Sequence, residues 1–198
     1  MEDKRSQILG AAQDIFNRLG YSKTSVDDIS QAVGMKKSSL YYYFKNKEDI
    51  FMCSCKDEWE GQFKLFAEEA NKKSNPAEKI ITYIIQSLAY YEKVVVQHKI
   101  PVKVLIETRN MYREFMDNIN EGRIGFYKQC IQEGIDLGLF KPCDTRKVAE
   151  SIFTIKFSIQ YDSFNMFLHK YPNEEDFLHI KENIIFAIGL IIDGLRKK

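Results

Sequence analysis

An all-α fold is predicted by three observations. Only four prolines, at 76, 101, 142 and 172, interrupt 198 residues. Apolar–polar alternation at a period of two is almost absent, so few segments can form half-buried strands. Apolar residues instead recur at three- and four-residue spacing along most of the chain, the pattern of helices with one buried face. With 44% apolar and 29% charged residues, the composition supports a packed core and excludes a disordered chain. The length allows one small domain followed by a larger one, and the chain is predicted to divide at 1–47 and 48–198.

The first helix follows from Ile8, Leu9, Ala12, Ile15, Phe16 and Leu19, with Gly20 placed to supply a left-handed terminus. A second begins after Ser25, a good N-cap, with Asp28 near its exposed amides; Ile29, Ala32 and Val33 form its inner face and Gly34 ends it. A short third helix is predicted over 38–44. Leu40 and Phe44, four apart, face inward; Tyr41 and Tyr42 then point away, and Tyr43 lies at the border. Asn46 caps a long fourth helix to about residue 70, with Glu48 and Asp49 in its first turn. A polar break at 72–75 precedes Pro76, which suits a first helical turn. Ile80, Ile81, Ile84, Ile85 and Leu88 mark the next helix, and further helices are predicted over 102–108, 112–136 (ending near Gly138), 145–170 and 174–195.

Net charge is only +1, so no global field points to an anionic partner. Its distribution is more informative. Residues 1–47 hold eight basic and five acidic side chains, against 21 and 23 in the rest. The opening MEDKRSQILG lacks the features of a secretory signal, and no apolar run of 18 residues occurs, so no membrane partner and a cytoplasmic location are expected. Cys53, Cys55, Cys130 and Cys143 then read as thiols; Cys53 and Cys55, two apart on a helix, diverge.

Helix, four-residue turn and short helix make a helix-turn-helix layout, with 25–34 as the supporting helix and 38–44 as the reader. Tyr41 and Tyr42 offer rings and hydroxyls to a groove, and Lys36, Lys37 and Lys47 offer charge to phosphates. No arginine or amide stands on this helix, so direct base reading by one copy is modest. The same residues also fit a blander reading, with tyrosines packed on the second domain and lysines solvated.

Residues 4–51, KRSQILGAAQDIFNRLGYSKTSVDDISQAVGMKKSSLYYYFKNKEDIF, resemble the amino-terminal domain of the TetR family of bacterial transcriptional regulators. The resemblance rests on the AAQDIFNRLGY run, on Thr24, Ser25, Val26, Ile29, Ala32 and Val33 or Gly34, and on Leu40, Tyr41, Phe44 and Lys47. It implies a three-helix DNA-binding domain with a helix-turn-helix, followed by a larger helical ligand-binding and dimerisation domain. This chain departs from the family where Lys36 replaces a small capping hydroxyl residue, where Ser38 stands in place of a common glycine, and where Tyr43 stands in place of a frequent histidine. By position, the resemblance makes Ser39 and Tyr41 base-edge contacts, Tyr42 and Tyr43 backbone or stacking contacts, and Lys37 and Lys47 phosphate contacts. Ser25 holds its helix amide near the backbone, and Lys36 and Ser38 complete the surface.

The resemblance further implies a homodimer on double-stranded operator DNA, acting as a repressor released by a small hydrophobic or aromatic effector. Tyr83, Tyr90, Glu107, Tyr112, Phe126, Tyr127, Phe157 and Tyr161 are the candidate ligand-binding residues, with Phe115 and Phe164 among further aromatics of the region. Each also fits ordinary core packing. Glu107, Arg109, Lys156 and Gln160 could orient a polar group. Phe153, Ile184, Ile188 and Ile191 are the expected dimer interface, with a monomeric bundle core as the alternative. No phosphate loop or catalytic constellation is visible, and His98, His169 and His179 form no metal set; no enzyme activity, cofactor or metal is expected. The rival class is a helical small-molecule-binding or protein-interaction module without specific DNA binding.

Overall fold

The computed structural model describes residues 2–97, 102, 103, 106, 113–167 and 172–197. Helix α1, Glu2–Leu19, ends where Gly20 takes a φ of 80°, and the Gly20 amide donates to the Phe16 carbonyl at 2.9 Å. Helix α2, Val26–Ala32, begins with a full capping box: the Ser25 hydroxyl accepts from the Asp28 amide while the Asp28 carboxylate accepts from the Ser25 amide. Gly34 closes it at φ 63°. Helix α3 is Lys37–Tyr43, one residue earlier than predicted at both ends, because Phe44 turns extended as the C-cap. Helix α4, Lys47–Asn71, starts at Asn46, whose side chain accepts from the Asp49 amide.

These helices close around Ile8, Ala12, Phe16, Ile29, Leu40 and Phe44. Phe51 from α4 meets the Phe16 and Tyr21 rings edge-on at 5.2 and 5.1 Å. The same core takes in Trp59 from the middle of α4 and Val94, so α4 is a shared wall rather than an appendage of either region.

Helix α5, Pro76–Glu92, has Pro76 in its first turn and Asn75 as cap, and runs into a π-helical turn at Lys93–Gln97. Helix α6 is Arg113–Asp136, α7 Thr145–Met166 and α8 Glu174–Leu195. The second core joins Ile80, Ile84, Tyr127, Ile131, Ile152 and Ile184 from α5 to α8. Each fully buried isoleucine contributes about 1.5–3 kcal/mol. After α6, Gly138 turns at φ 71° and Phe140 folds back against Gly134, where an added Cβ would stand 2.1 Å from the ring. Phe140 also pairs with Arg196 in an isolated antiparallel bridge, so the carboxyl end of α8 is tied to the α6–α7 connection. Helix α7 stops at Met166 rather than running to 170; the predicted 102–108 helix and the start of α6 at Tyr112 fall largely outside the described residues.

Candidate functional site

Two places in the fold gather the candidate residues. On α3, the burial of Leu40 and Phe44 forces the opposite face outward: Tyr41 is 48% and Tyr42 78% exposed. Tyr43 is half-buried, its ring edge-on to Tyr42 at 5.4 Å. Ser38 is exposed and Ser39 half-buried beside them. Lys36 occupies the N-cap position with no side-chain cap bond, so the first amides of α3 lack the usual hydroxyl acceptor.

The lysines divide into two kinds. Lys37 pairs with Asp27 at 2.7 Å, and that carboxylate, by hydrogen bond and charge, raises the ammonium above its ordinary pKa. Lys47 is half-buried over the Tyr21 ring at 4.1 Å, and burial lowers its pKa. Lys36 and Lys45 are exposed and form no ion pair among the described residues. Ser25 is occupied by its capping box, its hydroxyl also donating to the Asp28 carboxylate at 2.7 Å, a bond that holds that carboxyl below its usual pKa. Lys37, though exposed, and Lys47 are therefore engaged within the domain, and Lys36 and Lys45 are the exposed lysines of this surface outside any ion pair among the described residues. Sequence reading passed over Lys45 and also over Arg5, whose guanidinium lies 5.0 Å over the Phe44 ring at the back of α3.

The second place lies between α4, α5, α6 and α7. An apolar cavity of about 60 Å³ is lined by Met52 and Trp59 from α4, Tyr91 from α5, Met116 and Arg123 from α6, and Phe157, Gln160, Tyr161 and Phe164 from α7. Phe157 and Tyr161, both expected, are in this wall. Tyr83 and Phe126 instead border an open cleft between α4 and α6, of about 600 Å³, which Arg123 also lines. Their rings stack at 4.7 Å. Tyr127 is fully buried in the core, 5.6 Å from Tyr83, and Tyr90 packs on Phe66 at 5.9 Å. Glu107, Tyr112 and Arg109, and the Phe115 side chain, lie outside the described residues, as do His98 and His169.

Arg123 is the residue sequence reading missed. It is only 5% exposed, its Nη1 donates to the Asn120 side-chain Oδ1 at 3.4 Å, and its guanidinium lies 4.1 Å over the Phe63 ring. Among the described residues its Nε and Nη2 make no hydrogen bond of ordinary geometry. Its spacing to Tyr127 and Ile131, four residues apart each time, was the signal that places it on the inward face. Lys156, 4% exposed, hydrogen-bonds Gln160 and lies 5.4 Å over the Tyr91 ring. Burial, then the charge of Arg123, holds it well below the ordinary lysine pKa.

The expected dimer surface needs correction. Ile184 and Ile188 are completely buried in the chain's own core, because the stripe that repeats every four residues on α8 packs inward against α5 and α7. Phe153 and Ile191 are half-buried, while Phe186 and Leu190 on α8 stand 71% and 61% exposed. Among the described residues there is no group of three potential metal ligands and no helix long and apolar enough to cross a membrane.

The sequence profile of the bacterial regulatory proteins of the tetR family matches residues 8–52, the segment that builds α1 to the start of α4. Its amino-terminal segment carries the TetR-family domain. Members of this family are transcriptional regulators that bind DNA through this domain. A fatty acid metabolism regulator protein of Bacillus subtilis is 29% identical over 154 residues, spanning 76% of this chain and 78% of that one. A transcriptional regulator from Cytophaga hutchinsonii shares the fold with a TM-score of 0.76 at 21% identity, over 97% of this chain and 98% of that one. The FadR regulator of Bacillus subtilis in complex with stearoyl-CoA shares it with a TM-score of 0.60 at 21% identity, over 96% and 99%.

Proposed function

We propose that this chain is a homodimeric TetR-family repressor that occupies a palindromic operator and is released by a small, largely apolar effector bound in its larger domain. The observation that carries the reading is the exposed Tyr41–Tyr42 pair, held out from a packed three-helix unit beside the solvent-facing Lys36 and Lys45. A helix of this size fits the major groove, and two joined rigidly address symmetric half-sites. Residues 1–47 act as the DNA-binding domain and 48–198 as the effector and dimer domain, in a cytoplasmic protein. Ser39 and Tyr41 reach base edges, Tyr42 and Tyr43 stack on or bond the backbone, and Lys36, Ser38 and Ser25 approach phosphates with Lys37 and Lys47 once their internal partners yield. The dimer surface takes Phe153 and Ile191 with Phe186 and Leu190. The fatty acid metabolism regulator among its relatives, and the stearoyl-CoA bound by a structural neighbour, support an effector with a long apolar portion.

Helix α4 is the mechanical link. It begins against α3 and carries Met52 and Trp59 into the cavity wall, so an occupant there moves the spacing of the two readers. An effector shifts the DNA equilibrium only by its difference in affinity for the two dimer states, and a tenfold difference is about 1.4 kcal/mol.

The test is a gel-shift series on a genomic fragment library with competitor DNA, joined to analytical ultracentrifugation. Selective retention of a palindromic fragment by a dimer is expected. Equal retention of every fragment removes the operator, and a monomer at micromolar concentration removes the dimer. One observation favours the second reading, a helical binding module without specific DNA recognition: Lys37 and Lys47 are already engaged by Asp27 and Tyr21. Under that reading Lys36→Ala and Lys45→Ala leave the salt dependence of DNA binding unchanged, whereas removing a lysine that neutralises one phosphate lowers the slope by roughly one.

A further inference from the structure

A cation buried without a counter-ion is costly unless something neutralises it. Arg123 and Lys156 are both at least nine-tenths buried, and neither forms an ion pair among the described residues. Among the described residues Arg123 leaves Nε and Nη2 unbonded while lining the apolar cavity, and Lys156 hydrogen-bonds Gln160 of its wall. Asn120 and the Phe63 face account for one edge and one face of the guanidinium. The phenol hydroxyls of Tyr83 and Tyr91 stand near enough to interact with the guanidinium but supply no carboxylate to balance it. The remaining fork has the geometry that receives a carboxylate or phosphate with two parallel bonds.

We propose that the α4–α7 cavity is a site for an amphipathic organic anion, whose carboxylate or phosphate head is held by Arg123 and whose apolar body packs against Trp59, Met52 and Phe164. Lys156, hydrogen-bonded to Gln160, adds a positive charge to the site when it is protonated. The aromatic walls by themselves suit any apolar molecule; the buried guanidinium disfavours a neutral one, because its binding leaves that charge desolvated and unpaired. This deepens the effector-site reading above and rests on it for its regulatory meaning, but the binding chemistry stands apart from DNA.

The chain's single tryptophan, Trp59, is in the cavity wall, so its emission reports occupancy directly. The full-length protein is titrated with octanoate, octyl phosphate and octan-1-ol, probes that share a tail and differ in the head, with calorimetry alongside. At least tenfold tighter binding of one or both anions than of the alcohol is expected, and the tighter of the two identifies a carboxylate or a phosphate source. Arg123→Met is expected to bring the anion and alcohol affinities within threefold, with unchanged circular dichroism and an unchanged or raised unfolding temperature. Lys156→Met is expected to narrow the preference in part. Equal binding of the three probes, no binding of any, or an anion preference that survives both substitutions overturns the proposal. If Arg123→Met does not fold, the guanidinium is a structural strut on Phe63, and the wild-type probe comparison with Lys156→Met decides the rest. Loss of operator selectivity in gel shifts leaves these titrations untouched, so the two proposals fail separately.

Discussion

The helices around Leu40 and those around Arg123 treat their polar groups in opposite ways. In the amino-terminal region they are satisfied close by in sequence: Ser25 with Asp28, Asn46 with Asp49, the Thr24 hydroxyl on the Gly20 carbonyl. Its core is apolar and its exposed aromatics sit on one short helix. In the larger region the Arg123 guanidinium and the Lys156 amine are carried into the interior, several helices from either end of the chain, without a counter-ion among the described residues. A rigid platform for a fixed partner is built by local capping and close packing. A site whose partner comes and goes keeps unsatisfied groups in place, at a cost to the empty protein.

The largest expected effect tests the platform. Leu40→Ala removes a fully buried side chain from beneath α3 and is expected to destabilise by about 2–5 kcal/mol, read by urea unfolding. A loss under about 1 kcal/mol would mean that α3 is not held by this core. The paired substitution Tyr41→Ala/Tyr42→Ala sharpens the contrast, since both rings are exposed: stability should change by under about 1 kcal/mol while operator affinity falls. Tyr41→Phe alone is expected to lower operator over random-DNA affinity by about 1–3 kcal/mol if its hydroxyl reaches a base. Equal losses on both DNAs assign it to the backbone.

In the larger region, Gly134→Ala forces Phe140 away from α6 and is expected to cost about 1–3 kcal/mol. A neutral result would show that the 139–141 connection yields freely. Lys156 gives the next effect, through pH. Its folded pKa lies well below the unfolded lysine value, so at intermediate pH the unfolded chain binds more protons and stability rises with pH across that window. The groups facing it are Tyr91 from α5, Arg123 from α6 and Gln160 on α7. Unfolding midpoints should therefore climb as pH rises toward the ordinary lysine range in the wild type, and climb less steeply in Lys156→Met. Parallel profiles would mean that Lys156 gains water access. The smallest effect returns to the platform: Ser25→Ala opens the α2 capping box and should cost about 1 kcal/mol.

Helical class, the caps at Ser25 and Asn46, the glycine ends at Gly20, Gly34 and Gly138, and the outward turn of Tyr41 and Tyr42 were all legible in the amino-acid sequence. Each depends on residues within four positions of one another, where backbone geometry dictates which side chains meet. Tertiary structure decided what adjacent residues cannot. It turned Ile184 and Ile188 into the chain's own core, because two neighbouring helices claim that stripe of α8. It assigned Lys37 to Asp27 and Lys47 to Tyr21, leaving Lys36 and Lys45 to solvent. It also drew Arg123 into one wall with Trp59, Phe157 and Gln160, and set Lys156 on Gln160 from the same helix. Periodicity marks a face as inward, but whether that face meets a leucine, a ring or a cavity is fixed by the helix packed opposite, tens of residues away.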